Sequence, residues 1–191
     1  MQNSDIKASD CPVLKTERLL LRGPDARDVG AIVSIAGDWE VSRRLGRVPH
    51  PYSEKDARFF LETVVPNELT WAITWPETGE LIGMVGLKPE AGGTAAELGY
   101  WVARRWWGIG IATEAARAVV DYAFDTLQRP WLTAGYFLDN PASGRVLGKL
   151  GFVETGPEMR PCLAVGSTLP SMELQLEAGR RLCEDGRDTP L

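Results

Sequence analysis

Between Leu98 and Leu127 the chain passes from a strand, Leu98-Gly99-Tyr100-Trp101-Val102, through the turn Arg105-Trp106-Trp107-Gly108-Ile109-Gly110 into its longest helical pattern. In that pattern Ala112, Ala116, Val119, Val120, Ala123 and Leu127 recur at helical spacing, with Glu114, Arg117, Asp121 and Asp125 largely between them. Gly108 and Gly110 let backbone N–H groups approach an anion without an intervening Cβ. The first N–H groups of a helix lack internal partners and sit at the positive end of its dipole, so such a turn suits a pyrophosphate. Arg105 would add a charge-assisted bond. Two glycines also make a plain tight turn, and the residue types alone leave both readings open. A Walker A loop fails, because Ile111 and Ala112 stand where Lys and Ser/Thr are needed. A dinucleotide fingerprint is weak, because Thr113 replaces its third glycine and the preceding strand belongs to a meander.

The rest of the chain supplies a sheet around this unit. Residues 14–22 read as a strand ended by Pro24, and Asp25 with Asp28 caps a helix through Ile32, Ile35 and Ala36 that stops near Gly37. Ser53-Glu54-Lys55-Asp56 opens a second helix with Ala57, Phe60 and Leu61 on its apolar side. Strands over 70–75 and 81–87 flank the turn Pro76 to Glu80, and the turn at Ala91 to Thr94 leads to a third strand over 96–102, forming an antiparallel meander. After Pro130 come a strand over 131–137, a short helix over 141–150 led by Asn140 and Pro141 and closed by Gly151, and a strand over 171–176. A further short strand is expected at 152–155. The reading is a mixed α/β (α+β) single domain over 14–177, between an N-terminal tail of 1–13 and a C-terminal tail of 178–191.

Composition narrows the class. The 44% hydrophobic and 25% charged content is that of a globular protein, and no apolar run is long enough to span a bilayer. With no signal-peptide pattern at Met1 to Cys11, a cytoplasmic location away from membranes is expected. A net charge of −5 disfavours nucleic acid. Cys11, Cys162 and Cys183 form no zinc spacing and read as free thiols. One histidine, His50 between two prolines, leaves no basis for a metal site or a Ser-His-Asp triad.

At the turn Arg105-Trp106-Trp107-Gly108-Ile109-Gly110 the sequence resembles the GNAT N-acetyltransferase superfamily, whose acetyl-CoA motif is R/Q-x-x-G-x-G/A. The flanks Gly99-Tyr100-Trp101-Val102 and Ala112-Thr113-Glu114-Ala115, the segment Asn140-Pro141-Ala142-Ser143 running to Lys149-Leu150-Gly151-Phe152, and Thr16-Glu17-Arg18-Leu19-Leu20-Leu21-Arg22 look like the branch of ribosomal-protein N-terminal acetyltransferases. The resemblance covers roughly residues 14–177. It implies a central, mostly antiparallel twisted sheet with flanking helices, whose fourth and fifth strands splay apart, with a β-bulge near Gly99 to Trp101. It also implies acetyl-CoA as co-substrate and an amine acceptor, either a small molecule or a protein N-terminus, and it leaves a homodimer open.

By the same resemblance, backbone groups at Trp101, Val102 and Ala103 pair with the pantetheine arm. N–H groups from Trp107 through Gly108, Ile109, Gly110, Ile111, Ala112 and Thr113 hold the pyrophosphate, and Asn140 binds the pantetheine or the substrate, or caps its helix. Many members carry a Tyr in the short helix where Leu147 stands here, and in the resembling branch Ser143 would face the CoA sulfur instead. Gly144 and Gly148 weaken that helix by about 1 kcal/mol each relative to Ala, which close packing against CoA would explain. Direct transfer needs a base, for which Glu97 is the candidate, and Glu114 reads as a helix-dipole partner. Trp106 and Trp107 are expected in the core, with an exposed rim beside the cofactor as the alternative. Trp39, Trp71, Trp75 and Tyr52 are candidates for the acceptor wall, beside the loop Val48 to Pro51. The alternative function is a non-catalytic acyl-CoA sensor.

Overall fold

The structure is a computed structural model and describes residues 11–90 and 92–180. Among these residues eight strands form one sheet in the order β1-β2-β3-β4-β5-β6-β8-β7. The strand expected over 14–22 is two short ones, β1 (Leu14–Lys15) and β2 (Leu20–Arg22), paired antiparallel. The turn between them closes through the Leu19 carbonyl, which accepts from Thr16 N–H at 3.0 Å. The meander β3 (Leu69–Thr74), β4 (Leu81–Pro89) and β5 (Ala96–Val102) follows, all antiparallel. The β4–β5 register runs unbroken from Gly83 opposite Val102 to Pro89 opposite Ala96, so the bulge expected at Gly99 to Trp101 is absent. A register shift lies instead at Ile73/Thr74 on the β3–β4 side.

The second half is built on β6 (Trp131–Phe137), which pairs along its whole length with β8 (Ser167–Glu177), itself paired with β7 (Val153–Cys162). The expected strands at 152–155 and 171–176 are thus the inner parts of a long hairpin. The two halves meet where β5 and β6 run parallel, and they are in register only at Ala96 with Leu132 and Glu97 with Thr133. Beyond that point the strands separate.

Helices cover both faces. On one, α4 (Ile111–Asp125) and α5 (Pro141–Leu150) pack on a core that includes Trp71, Ile82, Leu98, Val119, Leu132, Leu147 and Leu176. Strand alternation sends Leu98 and Val102 to this face and Glu97, Gly99 and Trp101 to the other. The second face carries α1 (Val29–Ala36), α2 (Trp39–Ser42) and α3 (Glu54–Phe59) over a smaller core with Ile32, Met84 and Ala103. Both expected capping boxes form, at Asp25/Asp28 and Ser53/Asp56; the first caps a 3-10 turn (Ala26–Asp28) that leads into α1. Buried Asp28 also takes a two-pronged bond from Arg22 at 2.7 and 2.8 Å. Cys11 and Cys162 are free thiols, and Cys183 lies outside the described residues, as do residues 1–10 and 181–191 of the two expected tails. No helix among the described residues is long and apolar enough to cross a membrane.

Candidate active site

The separation of β5 from β6 leaves a notch with the glycine turn at one wall and α5 at the other. Helix α5 straddles it, tied to both strands by tyrosines. From β5, the Tyr100 hydroxyl lies 2.9 Å from Ser143 Oγ and 3.2 Å from the Ser143 carbonyl. From β6, the Tyr136 ring lies under Gly144, where an added Cβ would sit 2.7 Å from the ring. Gly144 is therefore required by Tyr136, and the expectation that it packs against CoA is corrected. A Cβ on Gly148 would meet nothing within 4 Å. Burial pushes the Tyr100 phenol up to about 12, against the opposing Ser143 bond, so it stays protonated. Asn140 precedes α5 without a side-chain capping bond, so its carboxamide is not spent on the helix. Leu147 is 1% exposed and belongs to the main core.

At the other wall, Gly108 (φ 81°) and Gly110 (φ 87°) hold left-handed backbone, and Gly110 is the N-cap of α4. It has no side chain to cap the helix, so the first-turn N–H groups of Ile111, Ala112 and Thr113 have no intrahelical partner. The first bond within the helix is Glu114 N–H to the Gly110 carbonyl at 3.0 Å. A Cβ on Gly108 would meet nothing within 4 Å, so the turn is open to an approaching group. The turn and the notch therefore fit the pyrophosphate and pantetheine of CoA. Arg105 is ion-paired with Glu80 of the β3–β4 hairpin. Trp106 is packed between both cores and meets Trp75 edge-on at 5.3 Å. Trp107, expected in the core, is 40% exposed; its Nε1 donates to the Val102 carbonyl at 2.7 Å, and Arg44 lies 5.2 Å from its ring centroid.

The ladder decides which backbone groups of β5 face the notch. Ala103 N–H donates to the Ile82 carbonyl at 2.8 Å, and the Ala103 carbonyl accepts from Trp106 N–H at 2.8 Å, so both groups are engaged within the protein. In an antiparallel pair the residues bonded to one neighbour alternate, so Trp101 also turns its backbone to β4, while Val102 and Tyr100 turn theirs to the notch. The backbone that β5 turns to the notch is therefore that of Tyr100 and Val102 and not that of Ala103 or Trp101, a direction set by the strand register.

Glu97 stands at the closed end of the notch, on the face opposite α4 and α5. Its Oε1 accepts from Arg160 Nη1 at 2.5 Å, and its Oε2 lies 3.7 Å from Lys88 Nζ. Arg160, reaching over from β7, also pairs with Glu173 and lies flat on Gly135, where a Cβ would stand 2.6 Å from its guanidinium carbon. Burial works against the Arg160 charge, and Glu173 and Glu97 more than offset it, holding the guanidinium above its usual range. Beside Glu97 on the same face, a Cβ on Gly99 would meet nothing within 4 Å.

The far wall is the segment 38–52, and the tip of the β7–β8 hairpin closes against it. Leu163 N–H donates to the Gly46 carbonyl at 3.1 Å, and Cys162 Sγ lies 3.5 Å from the Arg43 carbonyl. Arg43 reaches Asp139, after β6, at 2.6 Å. With Arg44 on Trp107, one short segment thus touches the turns that follow both splayed strands. Trp39 is 43% exposed and meets His50 edge-on at 5.1 Å, and His50 Nδ1 lies 3.3 Å from Ser42 Oγ. Tyr52 is half-buried against the smaller core. Trp71 is fully buried in the main core and Trp75 is packed on Trp106, which removes both from the expected acceptor wall.

Residues 18–153 match the acetyltransferase (GNAT) domain family. The chain belongs to this family. As a GNAT acetyltransferase it is an acetyl-CoA-dependent acyltransferase. It is 34% identical over 151 residues to the uncharacterized N-acetyltransferase YoaA of Bacillus subtilis, covering 76% of this chain and 85% of that one. It is 32% identical over 83 residues to the ribosomal protein uS5 alanine N-acetyltransferase of Escherichia coli, covering 42% of this chain and 43% of that one. Among solved structures, Mycobacterium smegmatis RimJ in complex with CoA-disulfide superposes with a TM-score of 0.76 at 22% identity, covering 88% of each chain. The residues that this acetyltransferase brings to the notch but that its motifs did not single out are Tyr100, Arg160, Arg43 and Arg44. Each depends on a contact between segments far apart in sequence.

The two glycines of α5 make opposite predictions. Gly148→Ala adds a methyl group in open space on a helix and is expected to stabilise the unliganded protein by about 1 kcal/mol. Gly144→Ala drives the same methyl into the Tyr136 ring and is expected to destabilise it. Urea unfolding midpoints of the two variants check both signs.

Proposed function

We propose that the protein transfers the acetyl group of acetyl-CoA to a primary amine, a protein N-terminus or a small-molecule amine, by direct attack in a ternary complex. The observation that carries this reading is the convergence on one notch. Free amides at the start of α4, the unpaired edge of β5 and the Tyr100–Ser143 pair all border the gap that closes at Glu97.

In this reading the N–H groups from Trp107 through Gly108, Ile109, Gly110, Ile111, Ala112 and Thr113 hold the pyrophosphate. The notch-facing backbone of Tyr100 and the N–H of Val102, whose carbonyl is held by Trp107, pair with the pantetheine arm as an added strand, Trp101 supports that edge from the other face, and Asn140 binds the arm opposite. Arg105, ion-paired with Glu80, adds a charge-assisted bond to the pyrophosphate. An ammonium has no lone pair, so Glu97 takes a proton from the acceptor through a water, held in place meanwhile by Arg160. The amine nitrogen then bonds to the acetyl carbon while the carbon–sulfur bond breaks. Ser143, held by the protonated Tyr100, donates its proton to the departing sulfur, and the second proton that the nitrogen sheds as the amide forms returns to Ser143 through water. The acceptor enters from the face lined by Glu97, Gly99 and the segment 38–52. The relatives with ribosomal-protein names support a flexible N-terminus among the acceptors to be tried first.

Turnover of acetyl-CoA against a panel of amines, including peptides with free N-termini, polyamines, aminoglycosides and amino acids, tests the proposal. Thiol release that depends on none of them removes it. Gly110→Val places a β-branched side chain at φ 87° and its Cβ 3.3 Å from Arg18 Nη2, so CoA affinity is expected to fall at least about tenfold. Calorimetry on variant protein shown by circular dichroism to be folded reads this. Glu97→Gln is expected to lower kcat while acetyl-CoA affinity holds, and an unaltered pH–rate profile would take Glu97 out of the reaction. For Ser143→Ala the expected loss in kcat is on the order of tenfold, since a thiolate leaves well unaided, and steady-state rates at saturating acetyl-CoA measure it.

A further inference from the structure

The glycine turn is not held by its own segment alone. Arg18, in the turn joining β1 to β2, donates from Nη1 to the Ile109 carbonyl at 3.0 Å. Its Nε and Nη2 lie 2.7 and 2.6 Å from Glu114 Oε2. Glu114 Oε1 in turn accepts from the Arg18 backbone N–H at 2.8 Å and from Thr16 Oγ1 at 2.6 Å. The N-terminal turn is thus bonded to one carbonyl between the two glycines and to one carboxylate in the first turn of α4. Burial works against the Glu114 charge, and the bonds from Thr16 and Arg18 outweigh it, holding the carboxyl below its ordinary range.

Two consequences follow from elementary geometry and charge. In a trans peptide the N–H points opposite to the preceding C=O. Pinning the Ile109 carbonyl onto Arg18 therefore turns the Gly110 N–H to the opposite side of that peptide. A carboxylate in the first turn of a helix also competes with any anion bound at the same end, because both draw on the same positive dipole and repel each other. The fork of Arg18 covers that carboxylate from the N-terminal side.

We propose that Arg18 is a positioning residue for the CoA pyrophosphate, aiming the Gly110 N–H at the anion and cancelling the Glu114 charge beside it. This rests on the reading that the glycine turn holds the pyrophosphate. The probes are CoA and S-acetylpantetheine, which lacks the pyrophosphate, each titrated by calorimetry. Arg18→Ala should weaken CoA on the order of tenfold and leave S-acetylpantetheine within about twofold. The double variant Arg18→Ala/Glu114→Gln should recover part of the CoA loss, since the uncovered charge is gone. Arg18→Lys, which keeps a charge but not the fork, should show a smaller loss confined to CoA, and it serves as the test if Arg18→Ala does not fold. Wild-type CoA affinity in Arg18→Ala, or an equal loss for both probes in either single variant, overturns the proposal. Wild-type protein that binds both probes equally overturns the underlying reading of the turn, a result distinct from either.

Discussion

Two parallel strands at the middle of the sheet stay in register for only two residue pairs, Ala96 with Leu132 and Glu97 with Thr133. Each has a full-length antiparallel partner on its other side, so neither needs the other to remain a strand. That freedom lets the two halves of the sheet diverge, and the rest of the site is arranged around the divergence. Helix α4 begins at one lip, α5 spans both, and Tyr100 and Tyr136 fix the span from below. Full pairing of β5 with β6 would close the notch and leave the turn at Gly108 to Gly110 with nothing to face.

Charge is arranged with similar economy on the opposite face. Arg160 bridges Glu97 and Glu173, which belong to the two halves of the sheet, and it does so over the bare backbone of Gly135. Partial burial makes an unpaired carboxylate costly there, so the guanidinium fixes where Glu97 points as well as balancing its charge. Arg43 and Arg44 make a comparable link at the open end, reaching Asp139 and Trp107 from one segment.

The elements with periodic apolar faces and unambiguous stops were legible in the sequence. β5, β6 and α5 have the expected bounds, because Pro130, Pro141 and Gly151 punctuate them and their apolar residues recur cleanly. The same marks failed where tertiary contact decides. The break at Thr16 to Leu19 is a turn closed by its own bonds and fastened to Glu114, nearly a hundred residues away. The short α2 forms on the Asp38 cap and carries too few residues for a period to show. The outer half of the β7–β8 hairpin is mostly exposed and alternates with nothing, so its length was invisible. At the site, the motif located the turn, but side-chain direction and ladder register were beyond it. Hence Trp71 looked like a wall residue and is core, and Tyr100 looked like a strand aromatic and borders the notch.

A sheet with an open seam is an unfinished one, since the inner edges of β5 and β6 carry peptide groups that no strand completes. On the proposed function, the pantetheine arm serves there as a removable strand, one that only the folded chain can bind. Such a guest raises the free energy of unfolding by an amount set by its concentration relative to its dissociation constant. On the proposed function, the seam thereby couples the persistence of the folded molecule to the concentration of the small molecule that fills it.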